Sequence, residues 1–485
     1  MLRSRFLTAL VLLAIAAPCA AQIPASEYAA RRAALAERIG TGVVLAFGAT
    51  QPMDDAANYR QLPAFNYLTG FEEPDAAFLM VVRDGRPAQA MLYVPARDPR
   101  MQLYDGFPPD SAETLARLGL GVRTLDALRP TLDTLVAAGL PVYSVWDFAS
   151  RDYARADSLT RGRRFIELLR EAHPDVDVRD AHPHIDALRV AKSPAEIALL
   201  RKAIDITVAA LEEAMRSVRP GMNEAELQTI IEFGFRRGGA EGPSFHSIIG
   251  SGPNSTSYHY RANDREMQAG DVVVMDVGAL YQGYAADVTR TIPVSGTFTP
   301  EQRAIYQIVR EAQAAAEREV RAGAPVAASD RAVREILARR LAELGLIQSP
   351  DATIDPPWGG DCSRPNVRCT QAFLYMAHGL GHGIGLEVHD VGGNSYSPTG
   401  VFQEGEVITI EPGLYIGTHL LDMLPDTPKN RAFIAAVRPA VERYANIGVR
   451  IEDDYIVTAT GAEWISRAPR EIEEIEAVMR QQPGT

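Results

Sequence analysis

Apolar and polar positions divide this chain into two regions that meet near Ala181-His-Pro-His184. From about Ser26 to Asp180, short apolar runs alternate with helical patterns. Val43 to Phe47, Ala77 to Val82 and Ala90 to Val94 read as strands, while Ser111 to Leu118 and Ser158 to Glu171 read as helices. These predict an α/β domain over residues 22–180, with no ligand cluster of its own. Beyond the boundary, helix starts are legible from their caps. Ser193-Pro194-Ala-Glu196 supplies the capping hydroxyl, the first-turn proline and the reciprocal glutamate of a capping box. Asn223 with Glu226, and Thr299-Pro300 with Gln302, repeat that logic. Helices are expected near 194–217, 224–237, 300–321 and 329–343, with strands near 271–279, 284–294, 406–411 and 448–457. Helices combined with mostly antiparallel strands make residues 185–485 an α+β domain, ending in a helical tail from Pro469 to Arg480.

The first residues read as an export signal rather than as structure. Arg3 and Arg5 provide a positive start, Phe6 to Ala16 an apolar stretch, and Cys19-Ala20-Ala21 a small-residue cleavage site, so residues 1–21 are assigned to a signal peptide. A lipid-modified Cys19 is the competing reading, and Pro18 directly before it argues against it. The product, periplasmic or secreted, keeps roughly 460 residues, ample for two or three domains. Its net charge of −13 becomes about −15 without Arg3 and Arg5, and no later apolar stretch reaches bilayer-spanning length. Such an acidic chain, lacking basic clusters, is not expected to bind nucleic acid or, after signal cleavage, a membrane. Cys362 and Cys369 read as a disulfide closing a short loop in an oxidising compartment; a zinc site would need two further ligands that the segment does not offer.

Candidate chemistry gathers in the second domain. Val272-Val-Val-Met-Asp276 and Tyr284-Ala-Ala-Asp287 flank the turn signal Tyr281-Gln-Gly283, so a hairpin is expected with both aspartates on one face, opposite or diagonal. Carboxylates that close repel unless a proton or a cation lies between them. In His378-Gly-Leu-Gly-His382-Gly-Ile-Gly-Leu-Glu-Val-His389, each glycine costs a helix about 1 kcal/mol, which argues against a helical H-x-x-x-H zinc site. As a strand, the segment sets His378, Leu380, His382 and Ile384 on one face, and the glycines opposite let backbone or substrate come close. Val407-Ile-Thr-Ile-Glu411-Pro ends an apolar strand on a carboxylate. Gly448-Val-Arg450-Ile-Glu452-Asp-Asp454 sets Arg450, Glu452 and Asp454 on one strand face. Taken singly, an aspartate here could be a turn cap, a histidine a core residue, and Glu452 an ion-pair partner of Arg450. Together, Asp276, Asp287, His382, Glu411 and Glu452 are enough to hold two divalent cations side by side, and such a pair turns water into a nucleophile at neutral pH.

These residues resemble the pita-bread metallopeptidases, the family of Xaa-Pro aminopeptidase, prolidase and methionine aminopeptidase, over most of the chain from Leu188 to Glu474. The resemblance implies a pita-bread catalytic domain preceded by a smaller creatinase-type α/β domain. It makes Asp276, Asp287, His382, Glu411 and Glu452 the metal ligands, with Asp287 and Glu452 bridging or chelating both metals. It places His259 in Tyr258-His-Tyr260, His378 and His389 as the histidines that polarise substrate. In the first domain, Tyr59-Arg-Gln61, Tyr67-Leu-Thr-Gly-Phe71 and Glu73-Pro74 look like aminopeptidase P, and methionine aminopeptidases lack that domain. The cysteine-bearing stretch at 355–372 and the stretch at 417–440 around Pro425 to Arg431 depart from compact members of the family, and read as insertions bordering the substrate entrance.

The implied activity is that of an exported Xaa-Pro aminopeptidase, a metallo-exopeptidase that cuts between an N-terminal residue and a following proline. Prolidase, which takes only Xaa-Pro dipeptides, is the alternative within the same chemistry. A non-catalytic pita-bread binding protein and a metal-independent creatinase-like hydrolase are disfavoured because all five ligands are present. Four carboxylates and one imidazole favour Mn2+, with Co2+ or Zn2+ as alternatives. A hydroxide shared by cations about 3.5–4 Å apart is expected to attack the carbonyl before proline. His259 and His389 would donate to the oxyanion, Glu411 would carry the proton to the leaving nitrogen, and Arg450 with Tyr415 would orient the ligands. Phe245 and His378 are candidates to meet the pyrrolidine ring. Proline-containing peptides are the expected partners, and the resemblance implies a homo-oligomer, dimer or tetramer.

Overall fold

The computed structural model describes residues 22–52, 59–96, 100, 103, 111–145 and 160–481, so the signal peptide expected over residues 1–21 lies outside them. The first region is built on a six-stranded mixed sheet: β1 (Gly42–Phe47), β2 (Ala77–Arg83), β3 (Arg86–Val94), β4 (Gly121–Thr124), β5 (Val142–Ser144) and β6 (Val178–Asp180), in the order β4-β3-β2-β1-β5-β6. β2 runs antiparallel to β1 and β3, whereas β4, β5 and β6 join in parallel. Unbroken apolar character in β1 follows from burial on both faces. Val44 and Ala46 pack toward Leu35 and Ala36 of helix Ala25–Ile39. Val43 and Leu45 face Leu132 of helix Leu128–Ala137 and Ile166 and Leu169 of helix Arg161–Ala172.

A short helix, His182–Arg189, occupies the expected boundary. Helices Pro194–Ser217, Glu224–Arg237 and Pro300–Glu319 then start at the three anticipated capping boxes, and all three boxes are formed. Helix Val326–Glu343 begins three residues before the expected position. The strands between are β7 (Gly242–Pro243), β8 (Ile248–Ser251), β9 (Val272–Val277), β10 (Ala279–Tyr281), β11 (Tyr284–Ala285) and β12 (Val288–Pro293). After them come β13 (Val407–Ile410), β14 (Gly413–Ile416), β15 (Ile447–Arg450), β16 (Asp453–Val457) and β17 (Ala462–Trp464). Small antiparallel sheets form, among them β12-β9-β8, β13-β16-β17 and β14-β15.

Three expected strands are interrupted, the first of them, over 271–279, at Gly278 between β9 and β10. The run over 448–457 divides at Ile451–Glu452 because β15 pairs with β14 while β16 pairs with β13. The run that pairs with it makes the same step at Glu411–Pro412, between β13 and β14, where proline has no N–H for a ladder. The run over 284–294 likewise breaks at Ala286–Asp287. Helix Pro428–Arg443, which begins inside the stretch at 417–440 and runs three residues beyond it, is not anticipated by the sequence pattern. Thr427 caps it and also donates to Asp355 Oδ2 (2.7 Å), tying the two stretches together. Cys362 and Cys369 are joined in a disulfide, as expected.

One hydrophobic cluster spans both regions, running from Leu35 and Phe65 to Leu199, Tyr284, Ile384 and Leu386. Polar ties accompany it. Arg31 pairs with Glu196 (3.3 Å), and Arg60 donates to Ser244 O (3.0 Å) and Leu386 O (3.1 Å).

Candidate metal centre

The hairpin that carries the aspartates closes on Gln282 and Gly283, whose φ angles of 47° and 77° make the two-residue turn expected for a right-twisted ribbon. In the resulting register Asp276 lies opposite Thr289. Asp287, two residues before Thr289, is therefore diagonal to Asp276 on the same face, and both carboxylates are buried.

The histidine segment departs from the expected regular strand. It lies extended beside β13 through Ile384 N to Val407 O (3.0 Å), Thr409 N to His382 O (2.9 Å) and Glu411 N to Leu380 O (2.8 Å). It then folds back on itself, with Asp390 N donating to Gly383 O (2.8 Å). Crowding explains both the irregularity and the glycines. A Cβ at Gly381 would sit 2.2 Å from Thr409 O, and one at Gly383 would sit 2.0 Å from Val391 O.

This packing brings the ligand atoms together. His382 Nδ1 donates to Gly383 O (3.0 Å), since a carbonyl only accepts, and Nε2 turns toward Asp287 Oδ2 and Glu411 Oε1, each 3.6 Å away. One ligand atom from each of Asp287, His382 and Glu452 lies within 4.8 Å of the others. Glu452 Oε2 is oriented by Thr289 Oγ1 (2.7 Å), and Asp276 is ion-paired with Arg450. Asp276 Oδ1 and Asp287 Oδ1 are buried with no hydrogen-bond partner. Buried carboxylate oxygens without a donor are costly unless a cation meets them, and an all-oxygen set with one imidazole suits a hard divalent ion. The residues present fit a metal site.

Residues 198–459 match the family model described as Metallopeptidase family M24, and residues 28–143 match the aminopeptidase P N-terminal domain. The chain belongs to the M24 metallopeptidase family. It is 34% identical to the Xaa-Pro aminopeptidase of Escherichia coli over 94% of its own length and 98% of that protein's. Its structure is similar to that of E. coli aminopeptidase P with the inhibitor Pro-Leu, with a TM-score of 0.76 and 33% identity over 94% of this chain and 98% of that one. A zinc-substituted form of the same enzyme, in complex with product, gives a TM-score of 0.75 and 32% identity, covering 95% and 100% of the two chains. The fold is therefore the pita-bread catalytic domain with an aminopeptidase P type N-terminal domain, and the protein is a metallo-exopeptidase that uses divalent metal ions.

Electrostatics at the centre follow from crowded acids in a buried site. Burial first, then the neighbouring carboxylates, hold the Asp287 and Glu411 carboxyls well above their ordinary range. Burial and the Asp276 charge push Glu452 up to about 8. Arg450 donates not only to Asp276 but also to Tyr415 Oη (2.8 Å), Thr289 Oγ1 (3.2 Å) and Tyr258 O (3.3 Å). Tyr415 Oη in turn donates to His378 Nε2 (3.0 Å), whose Nδ1 donates to Gly379 O (2.7 Å). Burial and the Arg450 charge lower the His378 pKa to about 3, so its ring is the neutral Nδ1–H tautomer.

His389 stacks obliquely on His382, ring centroids 4.3 Å apart. His259 is exposed, and desolvation and the Arg450 charge lower its pKa against the opposing charge of Asp276. Thr289 and Asp454 have roles that the ligand pattern in the sequence does not announce. Thr289 follows Asp287 by two residues, so strand alternation alone places it on the ligand face. Asp454 accepts from Asp287 N (3.4 Å) through Oδ2, while Oδ1 is buried without a partner. Burial and Glu452 raise its carboxyl well above the usual range.

Proposed function

We propose that this protein is an exported Xaa-Pro aminopeptidase with a two-metal centre at Asp276, Asp287, His382, Glu411 and Glu452. The observation that carries the reading is the convergence of Asp287, His382 and Glu452, with Glu411 3.6 Å from His382 and the Asp276 charge acting on the other carboxylates, in a chain one-third identical to a named Xaa-Pro aminopeptidase along nearly its full length. Mn2+ is the proposed metal, on the chemistry of the donor set. When bound, a pair of divalent ions supplies an activated water and polarises the carbonyl that it attacks. The chain's residues do the rest.

Arg450 Nη2 fixes the Asp276 carboxylate, and Thr289 Oγ1 fixes Glu452, so these ligands are oriented before substrate arrives. His389 and His259 donate to the oxygen on which charge develops when the carbonyl before proline becomes tetrahedral. Glu411 accepts the water proton and delivers it to the proline nitrogen, which has no proton of its own before cleavage. Glu411 Oε2 lies 3.8 Å from His378 Nδ1, so a pyrrolidine ring received beside His378 would bring its nitrogen toward Glu411.

Export is supported by the Arg3 to Ala21 pattern and by the Cys362–Cys369 disulfide, since such bonds persist in oxidising compartments. Assembly as a dimer or tetramer belongs to the same reading. The deciding experiment offers the metal-loaded protein an Xaa-Pro-Pro tripeptide and an Xaa-Pro dipeptide. Release of the first residue from the tripeptide is expected. Turnover of the dipeptide alone would make the enzyme a prolidase, and turnover of neither would reject the reading. N-terminal sequencing of the mature protein checks cleavage after Ala21.

A further inference from the structure

We propose that Arg189, the last residue of the helix that joins the two regions, is a positioning residue for His389 and acts through Glu387 and Asp390. The inference rests on the aminopeptidase reading and adds to it a requirement from outside the metal centre.

The loop from Gly383 to Gly392 carries His389 at the edge of the site. Its two ends are joined by a short antiparallel bridge, Asp390 N donating to Gly383 O (2.8 Å) and Gly383 N to Gly392 O (3.1 Å), and Ala285 N donates to Gly385 O (2.8 Å). A buried charge cluster adds side-chain anchors to this frame. Arg189 Nη2 donates to both Glu387 Oε2 (2.8 Å) and Asp390 Oδ1 (2.7 Å). Lys192 Nζ donates to Asp390 Oδ2 (3.2 Å) and to Arg189 O (2.6 Å). All four side chains are 5% exposed or less. Asp390 Oδ1 also accepts from Val391 N (2.7 Å), so one carboxylate fixes the backbone immediately after His389. Gly385 leaves room for the arrangement, because a Cβ there would lie 2.2 Å from Asp390 Oδ2.

Buried ion pairs add little to stability compared with apolar packing of the same volume. What they supply here is direction: Asp390 is gripped from two sides and the neighbouring ring cannot drift. Arg189 and Lys192 belong to the junction between the regions, and Arg60 of the first region holds Leu386 O in the same loop. The histidine loop is thus braced from the N-terminal side of the molecule.

The test is a double-mutant cycle between Arg189→Gln and His389→Ala on an Xaa-Pro-Pro substrate, with bound Mn2+ counted in each protein. Arg189→Gln is expected to lower kcat about 10- to 100-fold with little change in KM and full metal content, the scale on which misplacement of a catalytic group acts. Arg189→Lys should recover part of that loss. In the His389→Ala background, Arg189→Gln should cost less than about threefold, because the group it positions is gone. Equal losses in both backgrounds, or losses that track missing Mn2+, would overturn the proposal. If Arg189→Gln does not fold, Asp390→Asn reads the same cycle with the same two outcomes. An inactive wild-type protein is a separate result that removes the aminopeptidase reading itself.

Discussion

Stripped of metal, this protein should become less stable as pH rises from about 7.5 to 9, and metal loading should abolish that fall. The perturbation is removal of the cations from a buried site in which Asp276, Asp287, Glu411, Glu452 and Asp454 crowd together, with Arg450 paired to Asp276. Burial and mutual repulsion hold Asp287, Glu411 and Asp454 well above the usual carboxylate range and Glu452 at about 8, whereas these groups titrate near 4 once unfolded. The folded state therefore keeps protons that the unfolded chain has released. Stability must fall with pH until the folded-state values are passed, at about 1.4 kcal/mol per pH unit for each proton retained.

Histidines set the lower limit of the window. The depressed pKa values of His259 and His378 favour folding as pH rises toward about 6.5, which opposes the carboxyls there and vanishes above it. Buried tyrosines such as Tyr306, raised by burial, set the upper limit, because their unfolded counterparts release protons near 10. One to two retained protons amount to roughly 1–3 kcal/mol per pH unit, or about 2–5 °C in a unit of this size. Melting curves in EDTA at pH 7.5, 8.25 and 9, paired with Mn2+-loaded samples, measure it. A chelated protein whose melting temperature holds or rises across the window would refute the reasoning, since the acids would then ionise freely without a cation.

Three substitutions examine the site from other directions. Asp287→Asn should reduce bound metal from two ions to one or none by elemental analysis and lower kcat/KM by about 10³-fold or more, since activated water depends on the pair. Tyr415→Phe removes the link between Arg450 Nη1 and His378 Nε2, so kcat should drop roughly tenfold, about 1.4 kcal/mol, at unchanged metal content. Gly381→Ala drives a Cβ to 2.2 Å from Thr409 O, and chemical denaturation should show a loss of about 2–4 kcal/mol.

What the chain disclosed before its structure was whatever depends on neighbours in sequence. Ser193, Asn223 and Thr299 announce helix starts because each cap and its reciprocal partner lie three residues apart. The aspartate hairpin is legible for the same reason, its turn and both ligands falling within a dozen residues. The break at Ile451–Glu452 is a tertiary decision, made when β15 and β16 choose different partners, and local pattern reads straight through it. Helix Pro428–Arg443 carries Pro439 in its interior, a residue that argues against helix in any local reading. The brace at Arg189 joins positions about two hundred residues apart, and no spacing rule reaches that far.

Those breaks have a common consequence for the metal centre. Asp287 stands between β11 and β12, Glu411 between β13 and β14, and Glu452 between β15 and β16. A residue at such a step is released from its own ladder, so its N–H is available to bond elsewhere. Each of the three uses it to bind a segment that carries another member of the cluster. Glu411 N donates to Leu380 O beside the histidines, Glu452 N to Thr289 O on the aspartate hairpin, and Asp287 N to Asp454 Oδ2. The ligands are thus placed by their own N–H groups bonding one another's segments, two through main-chain carbonyls and one through the Asp454 carboxylate. Substituting one ligand side chain leaves that scaffold intact, which is why Asp287→Asn should lose metal and turnover while keeping its fold, and why a backbone clash at Gly381 should not.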